Sequence, residues 1–389
     1  MVLKSEIILA GKIMKRNWLL FFCLLLSKMI SAQQVGDKFI HPGILHTGGA
    51  LEAIKQAVTE KREPWLSAYL LFRQDTRASY AYSVNGPYEL VSRTGSKPGE
   101  SNLYKKEFED DCLAAYYNAL QWILTDDRRH ADKAIEILEG YSQTLKGVIN
   151  RDKELMASLC GHILVNAAEL IRYSDAGWNQ NQVAAFELMV RQVLYPVIAE
   201  FATFANGNWD AACIKAMMTF GVFLDDRQMF GRAVEYFHNG EGNGRLTHYV
   251  INETGQCQES GRDQAHTQFG LGCLAEACEI GYNQGLDLYS ASENRLLAGF
   301  EYTAKYNLGF DVPFSSWLDR TGKYYHTEIA QHDRDKFRGV FEIVLNHYEK
   351  RAKLNPFYTR KVVGIIAPEG EPWTADHPGY GTLLFRSPN

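Results

Sequence analysis

The chain has 389 residues, of which 46% are hydrophobic and 22% are charged, an ordinary globular composition with ample material for a core. Its formal net charge of −5 argues against nucleic acid as a partner, because phosphate binding draws on a basic field. An anionic ligand would therefore have to be held by a local basic cluster.

The first 32 residues have the pattern of a secretory signal peptide. The basic pair Lys15-Arg16 precedes the apolar run from Trp18 to Leu26, and Ser31-Ala32 offers a small-residue cleavage site. The run is too short to span a membrane, and no later run of about 20 apolar residues replaces it. We expect removal of residues 1–32, no membrane insertion afterwards, and a periplasmic or secreted protein.

Most of the chain after residue 48 shows the three- and four-residue periodicity of helices. The predicted stretches are 51–72, 108–124, 131–145, 155–173, 182–204, 209–224, 227–237, 264–281, 291–306 and 337–352. Short polar turns join them in pairs, and no strict repeat is present. The pattern predicts an all-α fold, an (α/α) toroid or incomplete barrel of roughly six or seven helical hairpins, in one domain over residues 33–389.

Strand patterns are scarce and predict only minor β elements. The candidates are 245–251, a hairpin around Thr321–Tyr325, and 382–385. The irregular part from Asp311 is expected to fold over a cleft at one rim of the ring. The cysteines after residue 32 show no CxxC spacing, so buried free thiols are expected.

The first polar cluster is Asn206-Gly207-Asn208-Trp209. Asn-Gly is a turn signal, and Asn208 is placed to cap the helix that follows. A turn with a cap explains this cluster as well as a binding site does. In a binding site, Asn206 or Asn208 would donate to a substrate carboxylate and Trp209 would stack on a sugar ring.

The second cluster is the most polar stretch of the chain, Q-E-S-G-R-D-Q-A-H-T-Q. Ser260 and Asp263 form a capping-box pattern, which predicts a helix start at Ser260. Arg262 and His266 would then lie one turn apart on one face, with Glu259 at the same helix end. The partial positive charge of that end would hold anions and keep His266 neutral, which suits proton abstraction from an acidic substrate. The alternative is a helix cap with a surface ion pair.

The third cluster is an aromatic and basic loop from Trp317 to His326. Tyr324 and Tyr325 lie close in sequence to Arg320, a density typical of a carbohydrate cleft. The sequence contains no complete set of zinc ligands, no nucleophile elbow and no phosphate or dinucleotide loop. Neither a metal nor a cofactor is therefore expected.

With these motifs the chain resembles the alginate lyase superfamily of helical-toroid polysaccharide lyases, in the branch of alginate and glucuronan lyases. The resemblance rests on Asn206-Gly207-Asn208-Trp209 opening a helix, on Arg262 with His266, and on the helical pairs across residues 40–350. The better-known branch has Asn-Asn-His-x-Tyr-Trp as its first motif and a catalytic Tyr after an Arg in its second. Here Asn206 stands in the His position and His266 in the Tyr position, so a tyrosine from elsewhere should assist His266.

The resemblance implies a lyase that cleaves a uronate polymer by β-elimination, alginate before glucuronan. Asn208 and Arg262 would neutralise the carboxylate, His266 would remove the C5 proton, and Tyr324 would protonate the departing O4. Further residues expected at the binding site are Asn206, Trp209, Glu259, Gln264, Tyr302, Arg320 and Tyr325, of which Tyr302 and Tyr325 are alternatives for the acid. The expected partner is an anionic polysaccharide, and the expected state is a monomer or homodimer.

Two other classes stay open. A glycoside hydrolase acting on uronate oligosaccharides would need two carboxylates facing the cleft, Glu259 with Asp263 or Asp319, and would form no double bond. A non-catalytic glycan-binding protein would retain its affinity in a His266→Ala variant and would release no products.

Overall fold

The computed structural model describes residue 36 and residues 38–387. The predicted signal peptide, residues 1–32, lies outside the described residues. Within them helices dominate, and the strands are short.

The helices, numbered in chain order, are α1 Gly48–Thr59, α2 Trp65–Phe72, α3 Lys105–Thr125, α4 Arg128–Thr144, α5 Lys153–Arg172, α6 Gln180–Met189, α7 Tyr195–Ile198, α8 Gly207–Phe223, α9 Arg227–Asn239, α10 Leu246–Tyr249, α11 Gln264–Asn283, α12 Ala291–Asn307, α13 Phe341–Leu345, α14 Phe357–Ile366 and α15 Gly381–Leu384. A π-helical turn, Val190–Leu194, joins α6 to α7, and another, Asn346–Arg351, extends α13. Strands β1 Leu90–Val91 and β2 Gly147–Val148 pair in parallel, whereas β3 Trp317–Leu318 and β4 Tyr325–His326 form an antiparallel hairpin.

The long helices form an inner and an outer ring. Neighbouring inner helices α3, α5, α8 and α11 pack side by side, and α4, α9 and α12 pack outside their preceding partners. The inner helices are buried almost all round, as in α8, where only Trp209 is not buried. Outer helices bury one stripe, which in α9 consists of Met229, Phe230, Ala233 and Phe237. The predicted helical toroid is confirmed.

The inner helices run parallel, because each is followed by an outer helix that returns the chain. Contacts between neighbouring inner helices join residues at similar distances from the helix N-termini. Ser158 Oγ of α5 lies 3.3 Å from Cys213 Sγ of α8, and Lys215 Nζ of α8 donates to Glu276 Oε2 of α11 at 2.7 Å. The inner N-termini therefore share one rim, where their partial positive charges add. The polar clusters of the sequence lie at this rim.

Residues 375–385 fill the space enclosed by the inner ring, and all of them are buried. Tyr117 Oη of α3 donates to the carbonyl of Pro378 at 2.9 Å, and Lys215 Nζ of α8 donates to the carbonyl of Asp376 at 2.8 Å. His377 is hydrogen-bonded to Glu276 of α11. The chain after Asp311 thus covers the rim only in part, because its later portion supplies partners for polar groups inside the ring.

Two predicted strands are wrong. Segment 245–251 contains α10 instead, because Leu246 and Tyr249 lie three residues apart and bury the same helical face. Segment 382–385 lies largely in α15, since a buried run of four residues fits either structure. The predicted helix 51–72 is divided into α1 and α2, because Pro64 has no backbone N–H to continue it.

The six cysteines of the described residues are free and buried, as expected. Helix α5 is long and apolar enough to cross a membrane by length and composition alone. However, 94% of its apolar window is buried inside the protein, a feature common among core helices.

Candidate functional site

The first two polar clusters lie against each other at the N-termini of α8 and α11. Gln258 joins them, since its Oε1 accepts from the backbone N of Gly207 at 3.0 Å and its Nε2 donates to Asn206 Oδ1 at 3.1 Å. Glu259 Oε2 accepts from the backbone N of Asn208 at 3.0 Å. Two motifs about 50 residues apart in sequence therefore form one site.

Arg262 and His266 are in contact, on one face as their spacing predicts. Arg262 Nη2 lies 3.1 Å from His266 Nε2, and His266 Nδ1 lies 2.7 Å from Asp263 Oδ2. A guanidinium can only donate, so Nε2 accepts and the ring proton resides on Nδ1, facing the carboxylate. The site thus holds an oriented imidazole whose basic nitrogen faces a cation.

Helix α11 begins at Gln264, as the apolar periodicity predicted, and not at Ser260, where the capping-box pattern placed its start. Its N-cap is Asp263, whose Oδ1 accepts from the backbone N of His266 at 2.6 Å. The predicted cap, Ser260, accepts instead from the backbone N of Cys257 at 3.0 Å. Burial alone would raise the pKa of Asp263, but hydrogen bonds from His266 and the charge of Arg262 outweigh burial and lower it.

Glu259 is fully buried beneath these side chains. It accepts from Arg262 Nη1 at 2.6 Å and from Tyr249 Oη at 3.3 Å. Burial raises the pKa of this carboxyl, although Arg262 opposes that effect. Glu259 consequently orients the guanidinium from below and faces away from solvent.

Asn208 has a buried side-chain amide without a partner. The residue is 1% exposed, and neither Nδ2 nor Oδ1 has a hydrogen-bond partner in the described structure. Nearly all buried polar groups are hydrogen-bonded, so this amide marks a place for a polar ligand. Asn208 was predicted to cap α8, but Asn206 occupies the N-cap position and makes no side-chain cap bond.

The residues of α8 and α11 that reach solvent lie at this site. Trp209 is the one residue of α8 that is not buried, and its ring meets exposed Phe204 edge to face at 6.2 Å. Among residues 264–281 of α11, His266 is likewise the one that is not buried. An accessible indole and imidazole thus border the unpartnered amide.

The hairpin β3–β4 brings the third cluster to this site. Gly261 permits the approach, because a Cβ there would lie 2.3 Å from His326 Cβ. Strand alternation places Tyr324 and His326, both half-buried, on one face and Tyr325, 62% exposed, on the other. By this alternation Tyr324 lies on the same side of the chain as His326, and Tyr325 faces solvent.

The other predicted residues surround this centre with different partners. Gln264 is buried, and its Nε2 donates to the carbonyl of Ala330 at 3.1 Å. Tyr302 Oη donates to the carbonyl of Pro313 at 2.7 Å. Both residues thus fasten the loop that follows α12, whereas the side chain of Arg320 stays exposed.

Tyr249 was not predicted at the site, and His326 was predicted only as a member of the third cluster, without a role of its own. Tyr249 Oη also lies 3.0 Å from the carbonyl oxygen of Thr267, a contact that ties α10 to the first turn of α11. Nothing in segment 245–251 signals this role, because its pattern was mistaken for a strand. The two-residue spacing from Tyr324 within the hairpin is the signal that could have given His326 a role beside that tyrosine.

The same rim holds a cavity of about 590 Å³ at the N-terminus of α3. Lys105, Lys106 and Trp373 are among its lining residues. The Arg338 guanidinium lies 4.3 Å from the ring centroid of Trp373 and 5.5 Å from that of Phe269, which is on α11. Arg338 thus connects the cavity wall to the helix that carries His266.

Comparison with known proteins agrees with this geometry. The sequence model of the family described as alginate lyase matches residues 55–311, more than half of the chain. No curated protein matches significantly. The solved structure of an alginate lyase from Bacteroides ovatus is 14% identical with a TM-score of 0.62, over 90% of this chain and 100% of that chain.

Alginate lyase A1-III from Sphingomonas species A1 is 13% identical with a TM-score of 0.64, over 87% of this chain and 95% of that chain. A tyrosine-to-phenylalanine variant of A1-III, solved with a tetrasaccharide, is 14% identical with a TM-score of 0.62 over the same shares. At these identities the structures demonstrate a shared fold.

Proposed function

The chain belongs to the alginate lyase family, and we propose that its rim site cleaves a uronate polymer, alginate foremost, by β-elimination. The observation that carries this proposal is the buried, unpartnered amide of Asn208 beside the Arg262–His266 contact. The tetrasaccharide bound by the A1-III variant supports an anionic polysaccharide as the partner. The signal-peptide pattern at the N-terminus supports the further proposal that the protein is exported to the periplasm or the medium.

Neutralisation of the substrate carboxylate is the first requirement. The C5 proton of a uronate is weakly acidic while the adjacent carboxylate is charged, and charge grows on that group as the proton leaves. Arg262 supplies a cation oriented by Glu259 at 2.6 Å, and Asn208 supplies an amide with no competing partner. Donors held in advance stabilise such charge without reorganisation.

His266 is the proposed base. Its Nε2 accepts from Arg262 Nη2 in the described structure, and a substrate carboxylate that accepts from Nη2 instead would free this lone pair while Nη1 stays bound to Glu259. The carboxylate of Asp263, 2.7 Å from Nδ1, would stabilise the imidazolium that forms. Tyr324, on the same side of the chain as His326, is the proposed acid for the departing O4.

The carboxylates that a hydrolase would use are engaged in holding the site together. Glu259 is buried under Arg262, and Asp263 caps α11 while it binds His266. Asp319 accepts from Thr321 Oγ1 at 2.6 Å and from the backbone N of Lys323 at 2.9 Å. These contacts favour elimination over hydrolysis.

The test is absorbance near 235 nm, roughly where the new conjugated double bond absorbs, with polymannuronate, polyguluronate and glucuronan in separate reactions. We expect a rise with one polymer and a loss of about 10²-fold or more in kcat/KM for Arg262→Ala and His266→Ala. Arg128→Ala, which removes an exposed ion pair with Asp132 on α4, is the matched control and should keep full activity. New reducing ends without absorbance would instead identify a hydrolase.

A further inference from the structure

The hairpin β3–β4 carries two ring nitrogens that are buried and have no partner. They are Nε1 of Trp317 and Nε2 of His326. These residues are directly opposite each other in the β3–β4 register, so their side chains share one face and lie close together. An indole N–H can only donate, so this pair calls for an acceptor on a ligand.

The position of the pair connects it to the catalytic centre. His326 packs directly on Gly261, the residue before Arg262. Burial, followed by the charge of Arg262, lowers the pKa of His326, against a smaller opposing effect of Asp319. This shift favours the neutral imidazole, which carries one ring N–H that can donate to a ligand.

We propose that Trp317 Nε1–H and His326 Nε2–H bind the same uronate carboxylate that Arg262 and Asn208 neutralise. This inference rests on the proposed function and adds two donors from a different element to the site. In the elimination, the C5–H bond breaks as the base takes the proton, and the electron pair moves toward the carboxylate before the C4–O4 bond breaks. The hairpin donors strengthen their bonds at that stage and transfer no proton.

Repulsion between like charges explains why the Trp317 and His326 donors are neutral. A further cation beside Arg262 would repel it, whereas neutral N–H groups add stabilisation without that repulsion. Both nitrogens are already desolvated, so binding the carboxylate requires no further loss of water from them. The hairpin thus contributes to specificity for an acidic sugar over a neutral one.

The test compares variants that remove each donor with one variant, His326→Gln, that restores a donor. Trp317→Phe keeps an aromatic ring, and we expect kcat to fall about 10- to 100-fold as a charged hydrogen bond is lost. His326→Leu should reduce kcat about 10²- to 10³-fold, and His326→Gln should recover part of this because its amide can donate. KM should change much less than kcat, because the bonds strengthen in the transition state.

Two matched variants control for the substitutions themselves. Trp122→Phe removes an indole donor that binds Ser174 Oγ at 3.0 Å, and His332→Leu removes an exposed imidazole beside Asp333. Both should retain wild-type kcat. Circular dichroism and thermal melting establish that every variant is folded.

The outcomes separate this inference from the proposed function. If the wild-type protein forms no unsaturated ends with any uronate polymer, the proposed function fails. If the wild-type protein is active and the folded hairpin variants keep wild-type kcat, or change KM alone, the assignment of this pair to the reacting carboxylate is overturned.

Discussion

Asp263 caps helix α11 with one carboxylate oxygen and binds the imidazole of His266 with the other. Its Oδ1 accepts from the backbone N of His266, and its Oδ2 faces His266 Nδ1. Asparagine caps helices about as well as aspartate but carries no charge. We expect Asp263→Asn to lower kcat about 10²-fold or more while the melting temperature stays close to that of the wild type.

The matched control is Asp226→Asn at the N-cap of α9. Asp226 Oδ1 accepts from the backbone N of Met229 at 2.9 Å, in the same capping role. Measured in parallel, both variants should keep melting temperatures close to that of the wild type, and only Asp263→Asn should lose activity. Equal activity in both variants would exclude a role for the charge of Asp263 in catalysis.

At the residue level, the sequence predicted contacts that depend on helix periodicity. Arg262 and His266 meet because four residues make one turn. The inward direction of Glu259 and the bond from Tyr302 to Pro313 depend on how separate segments pack. No local pattern contains that information, so these positions were identified without their partners.

At the level of elements, Gly261 determines how closely the hairpin approaches α11. A side chain there would push against His326 at its Cβ. We expect Gly261→Ala to displace the hairpin and reduce kcat by up to about 10²-fold, because a shift near 1 Å can have that effect. Steady-state kinetics on protein with a wild-type circular dichroism spectrum tests this.

Gly231→Ala on the outer helix α9 is the comparison for Gly261→Ala. No atom lies within 4 Å of a Cβ added at Gly231, so this variant should be as active as the wild type. It should also be more stable by about 0.5–1 kcal/mol, because alanine has the higher helix propensity. If Gly231→Ala also lost activity, the loss in Gly261→Ala could not be assigned to displacement of the hairpin.

Helices were predictable as elements, whereas among the predicted strands only the hairpin around Thr321–Tyr325 is confirmed, as β3–β4. Stretches such as 108–124 and 155–173 match α3 and α5 to within three residues at each end, because long periodic runs have one consistent solution. The parallel pair β1–β2 joins segments more than 50 residues apart and involves two residues in each strand. Pairing on that scale is set by the tertiary structure and leaves no pattern in the sequence.

For the whole molecule, a buried charged network links the inner helices to the chain at their centre. Lys215 is fully buried and donates to Glu276 Oε2, which also lies 2.9 Å from His162 Nε2. Burial would raise the pKa of Glu276, but Lys215 and His377 lower it well below its usual range. We expect Lys215→Met to destabilise the protein by about 3–5 kcal/mol, since it leaves that charge without its main partner.

Urea unfolding monitored by circular dichroism measures this loss. Lys133→Met is the control, because its ion pair with Glu136 lies on the outer helix α4 and Glu136 remains exposed to water. That variant should change stability by less than about 1 kcal/mol. Similar losses in the two variants would contradict the importance of the central network.

A second global prediction concerns pH. Glu369 is buried, and burial together with the neighbouring carboxylate of Glu342 raises its pKa to about 8. The folded protein therefore binds more protons than the unfolded chain between the ordinary pKa of a glutamate, about 4.3, and about 8. The stability that the protonated Glu369 carboxyl contributes is fully present below about pH 4.3 and is lost as the pH rises to about 8.

Glu369→Gln should flatten this dependence. The amide stays neutral, so urea midpoints measured at about pH 5, 7 and 9 should fall less toward high pH than in the wild type. A decline in the variant as steep as that of the wild type would show that another group is responsible.

The chain at the centre of the ring also has a consequence for biosynthesis. Helices α3 to α11 leave the ribosome well before residues 375–385, which supply partners for Tyr117, Lys215 and Glu276. At about 5–20 residues per second, the delay after α11 amounts to several seconds or more. During this interval the nascent ring lacks those partners on its inner surface, and a chaperone can still engage the incomplete fold.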